Sequence, residues 1–159
     1  MVGIHPEHLR LHIVRPTLMA LDLFSPAAEN LLLGTAAQES RLGHYLVQLG
    51  GGPARGIFQM EPATHLDLWE NFLIWRGDLQ KRVMAMRFSV AADAEEMVWN
   101  LRYATAMCRI HYLRVKEALP DADDVEGLAR YWKRTYNTEL GKGTVAEFCK
   151  HYLELVQGS

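Results

Sequence analysis

Apolar residues recur at intervals of three and four along almost the whole chain, and strand-like alternation is nearly absent. That period stacks them on one face of a helix, so the sequence specifies a mainly α protein. With 159 residues, such a chain buries roughly 70% of the surface it exposes when unfolded, enough for a core without disulfide or metal staples. No internal repeat, low-complexity tract or linker interrupts it, so residues 1–159 read as a single domain.

The punctuation between apolar runs sets the expected elements. Pro16 is expected to start a short helix running through Leu23. Ser25-Pro26 pairs an N-cap with a proline at the first helical position, opening a helix that carries Leu31, Leu32, Ala36 and Ala37 and ends near Gly43. Gly50-Gly51-Gly52-Pro53 then breaks regular structure, so residues 44–55 are expected to form a loop or small hairpin. Pro62 restarts a helix with Leu66, Leu68, Trp69 and Phe72, and a short helix follows Gly77-Asp78. Asp93 with Glu96 resembles a capping box, and behind it Met97, Leu101, Ala104, Cys108, Tyr112 and Val115 predict a central helix of roughly seven turns. After Pro120, the acids Asp121, Asp123 and Asp124 precede a helix with Leu128, Ala129 and Trp132. Gly141-Lys142-Gly143 is a turn, and Thr144 with Glu147 forms a second capping box for a last helix.

Composition excludes several functions. Lys and Arg number 17 against 19 Asp and Glu, a net charge of −2, which argues against a nucleic-acid coat. No apolar stretch approaches the ~20 residues that span a bilayer, so no stable membrane insertion is expected. The start, Met1-Val2-Gly3-Ile4-His5-Pro6-Glu7, has no basic region feeding an apolar one and does not read as a secretory signal, so synthesis in a cytoplasm is expected. Cys108 and Cys149 lack CxxC spacing and read as free thiols. His5, His8 and His12 share one helical face, but nothing else completes a metal set, so neither metal nor cofactor is expected.

Chemistry concentrates in two segments. In Thr35-Ala36-Ala37-Gln38-Glu39-Ser40-Arg41, Glu39 ends an apolar helix beside the glycine-rich loop. The negative end of the helix dipole and loss of solvation both raise a carboxyl pKa, as a general acid requires. The alternative is a solvated acid paired with Arg41 or Arg55. Seventeen positions after Glu39, Gly56-Ile57-Phe58-Gln59-Met60-Glu61-Pro62-Ala63-Thr64 supplies a glycine for close approach, an amide that donates and accepts, and a proline that fixes the next helix.

With these pieces in this order, the chain resembles the lysozyme-like lytic transglycosylases, a family that includes the soluble lytic transglycosylases and is related to goose-type lysozymes. Its members carry a Glu-Ser pair ending a helix, a Gly-Leu-Met-Gln segment followed by proline and Thr or Ser, a long helix with Asn and Tyr-Leu-Arg, and an Ala-Tyr-Asn stretch. The matching residues are Glu39-Ser40, Gly56-Ile57-Phe58-Gln59 with Pro62 and Thr64, Asn100-Leu101 with Tyr112-Leu113-Arg114, and Ala129 with Tyr136-Asn137. The resemblance covers roughly residues 30–140.

It implies a lysozyme-like fold and cleavage of the β-1,4 bond between N-acetylmuramic acid and N-acetylglucosamine in peptidoglycan, with Glu39 as acid and then base. Ser40 would orient Glu39. Gln59 and Phe58 would line the sugar cleft, with Tyr136 and Asn137 closing its far side and the tyrosine hydroxyl near Glu39. Attack by the muramoyl 6-hydroxyl makes a lytic transglycosylase, and attack by water makes a muramidase. A two-carboxylate glycosidase needs a second acid, for which Glu61 and Asp67 are the nearby candidates, so the transglycosylase route is preferred. Three departures stand out: Ile57-Phe58 in place of Leu-Met, the extra carboxylate Glu61, and no glycine after Tyr136-Asn137. Glu61 is either a substrate-side acid or the N-terminal charge of the Pro62 helix.

Trp69, Trp75, Trp99 and Trp132 read as core at helical spacing, with sugar stacking as the alternative. Arg102, Arg109, Arg114 and Lys116 read as the wet side of the long helix, or a face for anionic wall polymers or a partner. The expected partner is a peptidoglycan glycan strand, and size and the missing signal suit a bacteriophage lysis or virion-associated protein. A reading from a different class is a non-catalytic lysozyme-like module retained for wall binding or assembly in a phage particle.

Overall fold

The computed structural model describes residues 3–158 and is mainly helical, with no strand among them. Met1 and Val2, the first residues of the segment that does not read as a secretory signal, lie outside the described residues. The helices are α1 (Pro6–Leu9), α2 (Arg15–Ala20), α3 (Pro26–Ser40), α4 (Pro62–Asn71), α5 (Gly77–Met84), α6 (Glu96–Trp99), α7 (Leu101–Leu113), α8 (Val125–Trp132) and α9 (Val145–His151). π-helical turns at Arg10–Val14, Lys133–Asn137 and Tyr152–Gln157 join α1 to α2 and extend α8 and α9. No helix among the described residues is long and apolar enough to cross a membrane.

The spine is α3, about 22 Å long. Ser25 caps it by accepting from the Ala28 N–H at 3.0 Å. Leu31, Leu32, Leu33, Ala36 and Ala37 are fully buried, because α7, α8 and α9 all pack against it; a helix apolar on every side belongs inside a core. At Gly34 a Cβ would stand 2.3 Å from Cζ of Phe148, so glycine is what lets α9 approach. Near its start, buried Glu29 accepts from Arg10 at 2.6 Å and from Arg15 at 2.7 and 2.8 Å. One continuous apolar cluster runs from Leu9 to Val156.

Several expectations need correction. The N-terminal helix starts at Pro6 and passes through Pro16, ending at Ala20. Proline lacks an N–H and crowds the carbonyl four residues back; the π turn at Arg10–Val14 widens the helix just ahead of it. The central helix is broken at Asn100, whose backbone is extended and whose side chain accepts from the Tyr103 N–H at 3.1 Å. Asn100 is therefore the N-cap of α7. The Asp93–Glu96 capping box does not form: Glu96 is buried and accepts from the backbone of Phe88 and Ser89 and from the Asn100 amide. Trp69 and Trp132 are core, but Trp75 and Trp99 are exposed. The Thr144–Glu147 capping box does form. Cys108 and Cys149 are both free, and no metal-ligating group of three is present among the described residues.

Residues 41–61 carry no helix and are pinned by isolated antiparallel bridges of Arg55 to Val47 and to Met60. At Gly56, φ is +81° and a Cβ would lie 2.4 Å from the Met97 carbonyl oxygen. Gly56→Ala is expected to cost at least about 2 kcal/mol, since the left-handed penalty alone is roughly 1–2 kcal/mol and a backbone oxygen must also yield. Gly51→Ala supplies the comparison: φ there is +83° with nothing within 4 Å, so urea melts should show a smaller loss.

Candidate active site

The end of α3 is turned sharply. Arg41 and Leu42 have φ of 52° and 61°, and Gly43 has 86°; non-glycine residues reach this region at a cost of roughly 1 kcal/mol or more. Surrounding bonds hold the turn. The N–H groups of Gly3 and Ile4 donate to the carbonyls of Arg41 and Leu42 at 2.9 and 2.7 Å. Buried Ser40 donates from Oγ to the Ile57 carbonyl at 2.6 Å and accepts from the Gly43 N–H at 2.9 Å. The Tyr45 hydroxyl donates to the Glu39 carbonyl at 2.7 Å, satisfying a helix-end acceptor.

This turn sets Glu39 against a cleft of about 660 Å³ that is also lined by Gln59, Glu61, His111, Tyr136 and Asn137, within the usual range for ligand sites. Glu39 pairs with neither Arg41 nor Arg55; Arg55 is bound to Glu95 at 2.6 Å. Its carboxylate Oε1 accepts from the Trp132 indole Nε1–H at 3.0 Å. Burial pushes the Glu39 pKa up from 4.5 to about 7, against the indole bond, which favours the anion. A carboxyl group that holds its proton near neutrality and faces a cleft is equipped to donate it.

The far wall is organised by aromatic rings and one lysine. The Tyr136 ring stacks on Tyr112 with centroids 5.3 Å apart and meets His111 edge-on at 5.0 Å. Its hydroxyl donates to the Phe58 carbonyl at 2.6 Å. Burial, then the Arg114 charge, lower the His111 pKa to about 4, so this ring is neutral at pH 7. Tyr136 and Asn137 lie on the π turn that extends α8, a widening common at functional sites. Lys133 donates from Nζ to Asn137 Oδ1 at 2.7 Å and to the Gly141 and Gly143 carbonyls at 2.9 and 2.7 Å, using all three ammonium donors to tie residues 137–143 together.

The expected site residues divide by position. Glu39, Gln59, Glu61, Tyr136 and Asn137 meet at the cleft. Ser40 and Phe58 are buried and do not line it; they join the α3 end and the Tyr136 wall to the 56–60 segment from beneath, so the expected lining of the sugar cleft by Phe58 is corrected, and Ser40 acts on the end of α3 that carries Glu39 rather than in the cleft. The Tyr136 hydroxyl bonds to the Phe58 carbonyl, and burial first, then the Cys108 and Glu39 charges, raise its pKa, so it lies within electrostatic reach of Glu39. Glu61 is exposed at the N-cap of α4 with no side-chain capping bond. Asp67 lies outside the cleft, bound to Arg114 and Asn71. Trp132, expected in the core or stacked on sugar, is also the donor to Glu39, while Tyr45, His111 and Lys133 were not among the expected site residues. For Trp132 one signal was present: a buried indole N–H requires an acceptor. Compared with protein-family models, curated proteins and solved structures, the chain matches none.

Proposed function

We propose that this protein cleaves the MurNAc–GlcNAc β-1,4 bond of peptidoglycan as a lytic transglycosylase, with Glu39 as its single acid and base. The observation that carries the reading is a cleft-facing carboxyl with a pKa near 7 whose anion has one directed donor, the Trp132 indole. The ordered resemblance of Glu39-Ser40, Gly56–Gln59 and Tyr136-Asn137 to the lysozyme-like transglycosylases supplies the substrate class.

In this mechanism protonated Glu39 gives its proton to the glycosidic oxygen as the bond to the muramoyl C1 breaks, leaving an oxocarbenium-like centre. The new carboxylate keeps the indole N–H bond, which stabilises it as charge develops. It then takes the proton of the muramoyl 6-hydroxyl while that oxygen bonds to C1. A 1,6-anhydro sugar results and Glu39 is protonated again. Glu61 is the other carboxylate lining the cleft, and it lies exposed at a helix start, which favours the one-glutamate route.

Zymography on wall-impregnated gels tests activity, and a pH profile tests the acid. The rate should fall as pH rises through about 7, where Glu39 loses its proton. In Trp132→Phe the anion loses its donor, so the alkaline limb should move to higher pH. A limb unmoved in an active, folded variant would separate Trp132 from the acid.

A further inference from the structure

Arg109, in the penultimate turn of α7, is only 7% exposed. Its Nε has no hydrogen-bond partner, and none of the ion pairs among the described residues includes it. This corrects the expectation that it lies on a wet helix face. Burying a guanidinium without a partner is costly, and burial lowers its pKa. Arg109 lines a pocket of about 390 Å³ that shares no wall residue with the Glu39 cleft. Arg76 and Lys116 line it too, and the Arg76 guanidinium is seated 4.8 Å over the Phe72 ring. The acid in its wall, Glu117, is already engaged through both oxygens by Arg134, at 2.5 and 3.1 Å. Three cations thus face the space with no free acid to answer them, while Tyr131, Leu113 and Leu119 give the remaining wall an apolar character.

The geometry points to a second binding site, in which Arg109 holds the carboxylate of a small organic anion whose apolar body rests against Tyr131, Leu113 and Leu119. The guanidinium fork matches a planar carboxylate with two parallel bonds. Lys116 and Arg76 add charge at the mouth. The inference stands independently of the reading of the Glu39 cleft.

Titration of the ¹⁵N-labelled protein with isovalerate, its neutral isostere isovaleramide, and inorganic phosphate tests the site. Isovalerate should shift the amides of residues 109–119 saturably, isovaleramide should leave them in place, and phosphate should bind more weakly. Arg109→Met should weaken isovalerate binding by about tenfold to a hundredfold, the range for loss of charge-assisted hydrogen bonds. The exposed change Lys116→Met should weaken it less. Without anion, Arg109→Met should melt no lower than wild type, because an unpaired buried charge is gone; at a given isovalerate concentration, wild type should gain more in Tm than Arg109→Met. Unsaturable shifts, equal binding of isovaleramide, or an Arg109→Met variant that binds as well as wild type would overturn the site. Tighter binding of phosphate would overturn the carboxylate assignment. If Arg109→Met does not fold, the three wild-type titrations still decide.

Discussion

Glu39→Gln is expected to lower wall cleavage by about 10²- to 10⁴-fold, the usual contribution of a positioned general acid, while making the protein more stable at pH 8. Both effects come from the same burial. The amide is nearly isosteric and its oxygen can still accept from the Trp132 indole, but it has no proton to give. In the wild type the folded-state pKa of Glu39 is raised from 4.5 to about 7, so between those values the folded protein holds a proton that the unfolded chain has released. Stability from this group is full below pH 4.5 and is lost as pH rises through 7. The loss at pH 8 is at most about 3 kcal/mol, and glutamine does not incur it. The Tm of Glu39→Gln should therefore exceed that of wild type at pH 8, with the difference shrinking toward pH 4.5. His65 and His111, whose pKa values burial lowers to about 4, act with the opposite sign, weakening both proteins as pH falls below 6.5. They cancel in the comparison. Equal melting at pH 8 would mean that Glu39 is no harder to ionise in the folded state.

Glu29→Ala should produce the largest loss of stability, about 2–4 kcal/mol in urea denaturation. Removing one partner from a buried ion pair costs 3–5 kcal/mol when the other charge stays trapped. Here the side chains of Arg10 and Arg15 are 17% and 39% exposed against 3% for Glu29, so Arg15 can turn to water and recover part of that. Burial alone would raise the Glu29 pKa, but the bonds from Arg15 and Arg10 outweigh it and hold it below the ordinary value. Its stabilisation is therefore present at neutral pH and lost as pH falls through the carboxylate range. Glu29 lies near the start of α3, about 15 Å along the helix from Glu39, so cleavage at temperatures where the variant stays folded should change little. A loss under about 1 kcal/mol would show that the pairs only offset the cost of burying the acid.

These two glutamates also mark how far the sequence could be read. Glu39 was legible because its signals are local: an apolar helix ending at a glycine-rich loop, and a glycine, glutamine and proline spaced behind it. Ser25-Pro26 and the Thr144–Glu147 box were legible for the same reason, since a cap is written within four residues. Glu29 sits among apolar neighbours without a local sign that Arg10 and Arg15 converge on it. The break at Asn100 was masked because the apolar period continues across it, from Met97 through Leu101 and Ala104, while the side-chain cap costs no apolar position. Trp132 reaches Glu39 across 93 residues, and the period that places it on the buried face of α8 does not say which acceptor meets its indole. Ser40 and Phe58 were legible as neighbours of the site, but not as its foundation. Their direction depends on left-handed turns at Arg41, Leu42 and Gln59, which non-glycine residues do not announce.

The most direct test is mass spectrometry of the soluble products after purified peptidoglycan is digested with wild type beside Glu39→Gln. Wild type should release muropeptides ending in 1,6-anhydromuramic acid, and Glu39→Gln almost none. Reducing muramic ends would contradict the anhydro-forming route. No soluble product from wild type, or equal release by Glu39→Gln, would contradict catalysis by Glu39.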